Sequence, residues 1–269
     1  MLSVCATPIG NLDDVTLRVI AELRAADVVL AEDTRHTRTL LRRHAIEVRQ
    51  LVSYHAHNEA ARVDELLPRL AAGERVALVS DAGLPGVSDP GARIVRAALD
   101  AGVPVTVLPG PSAVETALVA SGLVSDRYVF AGFLPRKRGE LVALVEGLAG
   151  WASPLVAFES PQRLPATLRT LAELDPAREV AVCRELTKRF EEVLRGDAAS
   201  LASRLAEPPK GEITLVLAAA SRAPRAEEAT AAAAAVGELV AAGTPRRVAA
   251  DVVARLSGVS RNVLYRSSL

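Results

Sequence analysis

Apolar residues in this chain follow two rhythms. Short, nearly continuous apolar runs at Leu2–Ala6, Val28–Ala31, Leu51–Ser53, Val76–Ser80 and Val103–Val107 read as strands. Between them, the segments near Val15–Ala26, Arg35–His44, Glu59–Ala72 and Ala92–Ala101 space their apolar residues as helices do. Strands that are apolar on both faces, each followed by a helix, predict a mostly parallel sheet covered on both sides. The punctuation agrees: Asp89-Pro90 predicts a helix cap followed by a first-turn proline, and Gly73 and Gly102 stand where helices should stop.

A second α/β unit begins near Leu123–Tyr128. Its predicted strands are Tyr128–Ala131, Leu155–Phe158, Val180–Cys183, Glu192–Arg195 and Ile213–Leu217, with helices over Gly139–Leu148, Leu164–Leu174 and Ala198–Leu205. The close spacing of the last strands predicts a mixed sheet, because parallel neighbours need long crossovers. Ala218–Glu228 turns polar and irregular and reads as a linker, and Ala229–Leu269 reads as all-helical. The expected organisation is therefore an α/β domain over 1–122, a second α/β domain over 123–220, and a linker with a helical segment over 221–269.

Composition narrows the class. The chain has 269 residues, half of them hydrophobic, which is enough for two compact cores. Only 3% are aromatic, so those cores must be built from Val, Leu, Ile and Ala. The formal net charge is zero, which argues against indiscriminate coating of nucleic acid but leaves room for a local basic patch. No apolar stretch reaches the roughly 18 residues of a membrane span, and the N-terminus lacks the basic region of a signal peptide. Cys5 and Cys183 are isolated and form neither a disulfide framework nor a metal cluster. A cytoplasmic protein is the expectation.

Three loops follow predicted strands and precede helices, which is where an open α/β sheet binds its ligand. They are Thr7–Leu12, Ser80–Gly91 and Leu108–Ala113, and each mixes Gly with Pro. Such loops can be mere tight turns, but three at one sheet edge point to a site where backbone approaches a ligand closely. Asp81 stands directly after its strand, where a carboxylate can accept bonds from a ligand, whereas Asp89 reads as a cap. No G-x-G-x-x-G follows the first strand and no G-x-x-x-x-G-K-[ST] occurs, so the usual dinucleotide and P-loop sites are not supported.

The runs TPIGNLDDVTLRVIAEL, AEDTRHT, VSDAGLPGVSDPGARIV and VLPGPSAVETALVASGL resemble the tetrapyrrole-methylase superfamily. Within it they are most similar to the bacterial 16S ribosomal RNA (cytidine-2′-O)-methyltransferase family. GFLPRK, FESPQRL, CRELTKRFEE, KGEITLV and the ending GVSRNVLYRSSL extend that resemblance in colinear order over essentially the whole chain. It implies two α/β domains with a cleft between them holding S-adenosylmethionine in a folded conformation. Carried over by position, it implies cofactor contacts at Pro8, Ile9 and Gly10, at Asp81, Gly83 and Leu84, and at Ser112 and Ala113. In the second domain it implies contacts within Phe158–Ser160 and Gly211–Thr214, including Glu159 and Glu212. Leu84-Pro85-Gly86-Val87 departs from the Thr-Pro-Leu-Ile that is common there, so a side-chain hydroxyl contact at 84 is in doubt. The resemblance also implies a homodimer and a substrate of 16S ribosomal RNA within the 30S subunit, methylated on a cytidine of the decoding centre.

Methyl transfer to a ribose hydroxyl needs in-line alignment, gains from a general base, and needs no metal. Asp33 and Glu185 are the candidate bases, ahead of His36. Asp33 reads more readily as a helix cap, and Arg184, Glu185 and Lys188 read equally as an interdomain salt-bridge network. Arg35, Arg38, Arg136, Lys137, Arg184 and Lys188 are candidate RNA contacts. His55 and His57 would share one face of a strand, but no third metal ligand is identifiable, and Asn58 reads as a helix cap. From Ser221 onward seven arginines face four acidic residues. With turns at Gly243-Thr244-Pro245 and Ser257-Gly258 and a cap at Ser260, that segment reads either as a small helical nucleic-acid module or as a packed appendage. Two other functions remain open: a precorrin methyltransferase on the same fold, and a non-enzymatic nucleic-acid-binding protein.

Overall fold

The computed structural model describes residues 1–148, 150–220, 226–257, 259, 261, 264 and 265. The first sheet contains β1 (Leu2–Cys5), β2 (Val28–Ala31), β3 (Leu51–Ser53), β4 (Val76–Val79) and β5 (Val105–Leu108), all parallel, in the order β3-β2-β4-β1-β5. Helices α1 (Leu17–Ala25) and α2 (Thr34–Arg43) pack on one face through Val19, Leu23, Leu40 and Leu41. Helices α3 (Glu59–Ala71) and α4 (Ala92–Asp100) cover the other through Val63, Leu66, Leu70, Ile94 and Ala98. The central strands are buried along their length, which is why they read as unbroken apolar runs. Thr16 caps α1 by accepting the Val19 amide at 3.2 Å, and Asp33 caps α2 by accepting the Arg35 amide at 2.8 Å.

The second sheet has the order β6-β7-β10-β8-β9, with β6 (Val129–Phe133) parallel to β7 (Leu155–Glu159). The remaining strands, β8 (Glu179–Arg184), β9 (Glu192–Asp197) and β10 (Ile213–Leu217), pair antiparallel: β8 with β9 across a short connection, and β10 with both β7 and β8. One face is covered by α6 (Arg138–Gly147), α7 (Leu164–Leu174) and α8 (Ala198–Arg204). The opposite face receives α5 (Ala113–Ser121), whose Val114, Ala117 and Leu118 pack on Val156, Ala181 and Val216 together with Ile9 of the first loop. The helix that leaves the first sheet thus belongs to the core of the second.

At the C-terminal end, α9 (Ala226–Ala241) and α10 (Arg246–Ser257) form a hairpin around Gly243. Its core of Ala232, Val236, Ala249, Ala250, Val253, Val259 and Leu264 is drawn from this segment alone. Arg261 pairs with Asp251 at 3.0 Å. The expected turn at Ser257-Gly258 and the cap at Ser260 involve positions outside the described residues.

Several local expectations are corrected. Asp89 does not cap α4, whose N-cap is Gly91 at φ 141°. The cap position is taken by Gly91, whose amide donates to Glu59 Oε1 at 2.9 Å, while α4 itself begins at Ala92 as expected. His55 and His57 do not lie in a strand, because β3 ends at Ser53; they sit in the following turn with their rings 5.9 Å apart. Asn58 stands at the N-cap of α3, yet its side chain makes no bond to the helix. It accepts the His55 amide at 2.8 Å and donates to the Ser53 carbonyl at 3.1 Å, bracing the turn. The helical segment starts at Ala226, before the expected end of the linker at Glu228.

Candidate active site between the two sheets

Chain direction creates the site. The segment leaving β1 runs to α1 on one face of the first sheet, while the segment leaving the adjacent β4 runs to α4 on the other. The loops therefore diverge at the carboxyl edge and leave a crevice there. Thr7 and Gly83 bridge this crevice with paired backbone bonds of 2.8 and 3.1 Å. The Thr7 hydroxyl donates to the Ser80 carbonyl at 3.0 Å. Gly83 holds φ at 75°, a left-handed value that favours glycine. In the third loop, a Cβ on Gly110 would lie 2.9 Å from the Ala6 side chain, so this loop presses against β1 only because the residue is glycine.

The second sheet closes the crevice into a cleft of about 790 Å³. Its first-domain wall is built from Ile9, Gly83, Leu84, Asp89 and the 109–115 turn. Its second-domain wall is built from Phe130, Phe133, Phe158, the 159–161 turn and Gly211–Thr214. The chain has only four phenylalanines, and three of them meet here. Phe158 stands edge-to-face with Phe130 at 5.1 Å and with Phe133 at 5.5 Å. Tyr128, at the rim, donates to Glu115 at 2.5 Å, and Ser112 donates to the other oxygen of the same carboxylate. Burial acts to raise the Glu115 carboxyl, but the bonds from Ser112 and Tyr128, with one from its own backbone amide, hold the group below the usual carboxylate range.

The two domains are locked by the first loop. A Cβ on Gly10 would sit 2.5 Å from Lys188 Cγ and 2.8 Å from Thr187 Oγ1. The Asn11 amide donates to that same Thr187 hydroxyl at 2.9 Å. On the other side of this contact, Glu185 and Thr187 adopt left-handed φ values of 51° and 65°. Such a conformation is costly for a β-branched residue and persists only where surrounding contacts enforce it.

Ile9, Gly83, Leu84, Ser112, Ala113, Glu159 and Glu212 line the cleft, whereas Pro8, Gly10 and Asp81 do not. Asp81 Oδ1 accepts the Asp33 amide at 3.0 Å and lies 3.8 Å from His36 Nδ1. The Glu159 carboxylate turns away into the core, where it accepts from Thr167 at 2.6 Å and pairs with Arg163 at 2.5 Å. Glu212 pairs with Lys188 at 2.9 Å, and its amide donates to Glu185 Oε1 at 2.9 Å. Lys188 also pairs with Glu185 at 2.9 Å, so these three residues form one network.

Neither Asp33 nor Glu185 lines the cleft. Asp33 is tied to Arg35 at 2.7 Å, and this bonding drives its carboxyl far below the ordinary range. The Glu212 amide and Lys188 lower Glu185 in the same way. Among the expected RNA contacts, Arg184 is held by Glu192 at 3.0 Å and by the Lys210 carbonyl at 3.1 Å, and Lys137 by Glu140 at 3.0 Å. Arg38 and Arg136 are exposed and have no ion pair among the described residues. Both cysteines are buried, and burial raises Cys183 to about 11 and Cys5 to about 12, so neither is a thiolate at neutral pH. Among the described residues no group of three or more potential ligands could hold a metal ion, and no helix is long and apolar enough to cross a membrane.

The family Tetrapyrrole (Corrin/Porphyrin) Methylases matches residues 1–202. This chain belongs to that family. It is 44% identical to the ribosomal RNA small subunit methyltransferase I of Mesorhizobium japonicum, over 100% of this chain and 91% of that protein. It is 47% identical to the protein of the same name from Mycobacterium tuberculosis strain H37Rv, over 98% and 93%. The fold is shared with the methyltransferase CobJ at a TM-score of 0.63 and 22% identity, covering 82% of this chain and 95% of that one. It is also shared with a uroporphyrin-III C-methyltransferase from Thermus thermophilus crystallised with S-adenosyl homocysteine, at a TM-score of 0.56 and 19% identity, covering 80% and 96%.

What sequence reasoning missed is the aromatic wall. Phe130 and Phe133 do not stand out when a low aromatic content is taken as a property of the core alone. The available signal was distribution: half of the chain's eight aromatic residues line one cleft.

Proposed function

We propose that this chain methylates the small-subunit ribosomal RNA with S-adenosylmethionine as donor, at the ribose 2′-hydroxyl of a cytidine in 16S RNA, within the 30S particle. The observation that carries the reading is identity above 40% along the full chain with relatives named ribosomal RNA small subunit methyltransferase I. The cleft suits the donor. Its volume of about 790 Å³ lies within the range of small-molecule sites. The rings of Phe130 and Phe158 offer flat apolar surface for an adenine, and backbone at Gly83, Leu84, Ser112 and Ala113 offers polar partners for the ribose and the amino-acid part. When bound, the sulfonium supplies a methyl group already activated for displacement.

The chain's own task is to hold the hydroxyl in line with that methyl group and to keep water out, and the aromatic wall and the packed 109–115 turn serve the second need. The Arg38 and Arg136 side chains are suited to phosphate contacts, and Arg35 can join them if it exchanges Asp33 for a phosphate. A homodimer is part of this reading. A precorrin substrate is disfavoured, because a cobalt precorrin-4 methyltransferase that shares the fold is 18% identical, against more than 40% for the relatives named as ribosomal RNA methyltransferases. Incubating the protein with labelled S-adenosylmethionine and either 30S subunits or a precorrin tests the reading. Label is expected in the RNA, and label in the precorrin alone would contradict it.

A further inference from the structure

Four carboxylates line the cleft: Asp89, Glu115, Glu159 and Glu212. Three are committed, Glu115 to Tyr128 and Ser112, Glu159 to Thr167 and Arg163, and Glu212 to Lys188. Asp89 has no ion pair among the described residues. The groups that face it are other acids, Glu32 after β2 and Asp81 after β4, together with the Ser80 hydroxyl. Beyond them, His36 on α2 leans toward Asp81, His55 after β3 partly offsets Glu32, and Asp33 stands near Glu32. Burial first, and then Glu32, push the Asp89 carboxyl up to about 6, while Ser80 pulls the other way. Desolvation combined with like charges is how a carboxylate acquires an affinity for protons suited to work near neutral pH.

The backbone that presents Asp89 is held in an uncommon shape. Ser88 has φ 64°, Gly86 86° and Gly91 141°. A Cβ on Gly91 would meet Leu78 Cδ2 at 3.0 Å and the Gly86 amide nitrogen at 3.2 Å. Behind this turn, the fully buried Tyr54 donates to Glu59 at 2.9 Å, and Glu59 accepts the Gly91 amide at 2.9 Å. A partly buried chain of hydrogen bonds, anchored on the buried Tyr54, thus fixes the loop two residues from Asp89. This is the support a proton acceptor requires and a passive surface residue does not.

Resting on the methyltransferase reading, we propose that Asp89 accepts the proton of the ribose 2′-hydroxyl during methyl transfer. The hydroxyl oxygen forms its bond to the methyl carbon as the carbon–sulfur bond breaks, with that electron pair passing to sulfur. The O2′ proton moves to an Asp89 carboxylate oxygen and leaves to water once product departs. The products are the 2′-O-methyl ribose and S-adenosylhomocysteine.

The test compares wild type, Asp89→Asn and Asp89→Glu in single-turnover methylation of 30S subunits across pH, alongside calorimetric binding of S-adenosylhomocysteine. For wild type, the rate should rise with pH and level off above the Asp89 titration. Asp89→Asn should slow transfer by about 10²- to 10⁴-fold and lose that rising limb. It should still bind S-adenosylhomocysteine within about three-fold of wild type, and Asp89→Glu should recover part of the rate. An Asp89→Asn rate within about three-fold of wild type, or an unmoved limb, overturns the proposal. So does a loss of S-adenosylhomocysteine affinity that parallels the loss of rate, which would make Asp89 a binding residue. A wild type that binds S-adenosylhomocysteine but leaves 30S subunits unmethylated contradicts the RNA reading itself, and the proton role falls with it.

Discussion

At the scale of single residues, glycine and aspartate carry the consequences. Gly10 has no room for a methyl group against Lys188, Thr187 and the Leu186 carbonyl, whose oxygen would lie 3.0 Å from an added Cβ. Overpacking of this kind costs about 1–3 kcal/mol. Gly10→Ala is therefore expected to lower the melting temperature and weaken S-adenosylhomocysteine binding together, because the same contact holds both walls of the cleft. Differential scanning calorimetry and titration on one preparation check this, and an unchanged pair of values would mean the domains do not depend on that contact. Asp89 makes a second prediction. Its folded value of about 6 lies above the ordinary 3.8, so the folded state binds this proton more tightly than the unfolded chain does. The ionised form is thus tolerated less well in the fold, and stability contributed by the proton is present below about 4 and lost as pH rises through about 6. Asp89→Asn should melt higher than wild type at pH 7.5, with the difference vanishing in acid. The need for glycine at position 10 was legible in its loop. Its partner was not, because Lys188 comes from the other domain, far along the chain from Gly10. The misreading of Asp89 has a similar cause: Asp-Pro is a sound local cap signal, but the residue at the cap is Gly91, held by a tertiary bond to Glu59 that the local sequence does not show.

At the scale of elements, both sheets were readable because their strands are buried on both faces or bounded by tight turns. The helix α5 had no bounds in the sequence pattern. Its segment AVETALVAS is apolar almost all round, with Val114 and Leu118 buried and Val119 exposed, so it shows little helical periodicity. The turn at His55–Asn58 misled in the opposite way, since alternating polar residues imitate a strand whose hydrogen bonds are in fact made by Asn58. The aromatic wall is the element-scale feature with the clearest functional cost. Phe158 touches the rings on both sides of it, and edge-to-face pairs are worth about 0.5–1.5 kcal/mol each beyond area burial. Phe158→Ala should therefore weaken S-adenosylhomocysteine binding by about ten-fold or more, measured by calorimetry. Phe190→Ala, at an exposed ring stacked under Arg189, should leave that affinity unchanged.

At the scale of the whole molecule, the C-terminal hairpin stands apart. Its core uses none of the residues of the two α/β domains. Ending this chain after residue 220 should accordingly leave the S-adenosylhomocysteine dissociation constant within about two-fold of wild type. A collapse of binding would show that the hairpin supports the cleft. The acceptor of the methyl group is read from the modified nucleoside itself. 30S subunits lacking the modification would be incubated with the protein and S-adenosylmethionine, and the RNA then digested to nucleosides for mass spectrometry. A single methyl group on the ribose of a cytidine in 16S RNA is the expected result. A methyl group on a base, or RNA left unmodified by a protein that binds S-adenosylhomocysteine, would contradict it.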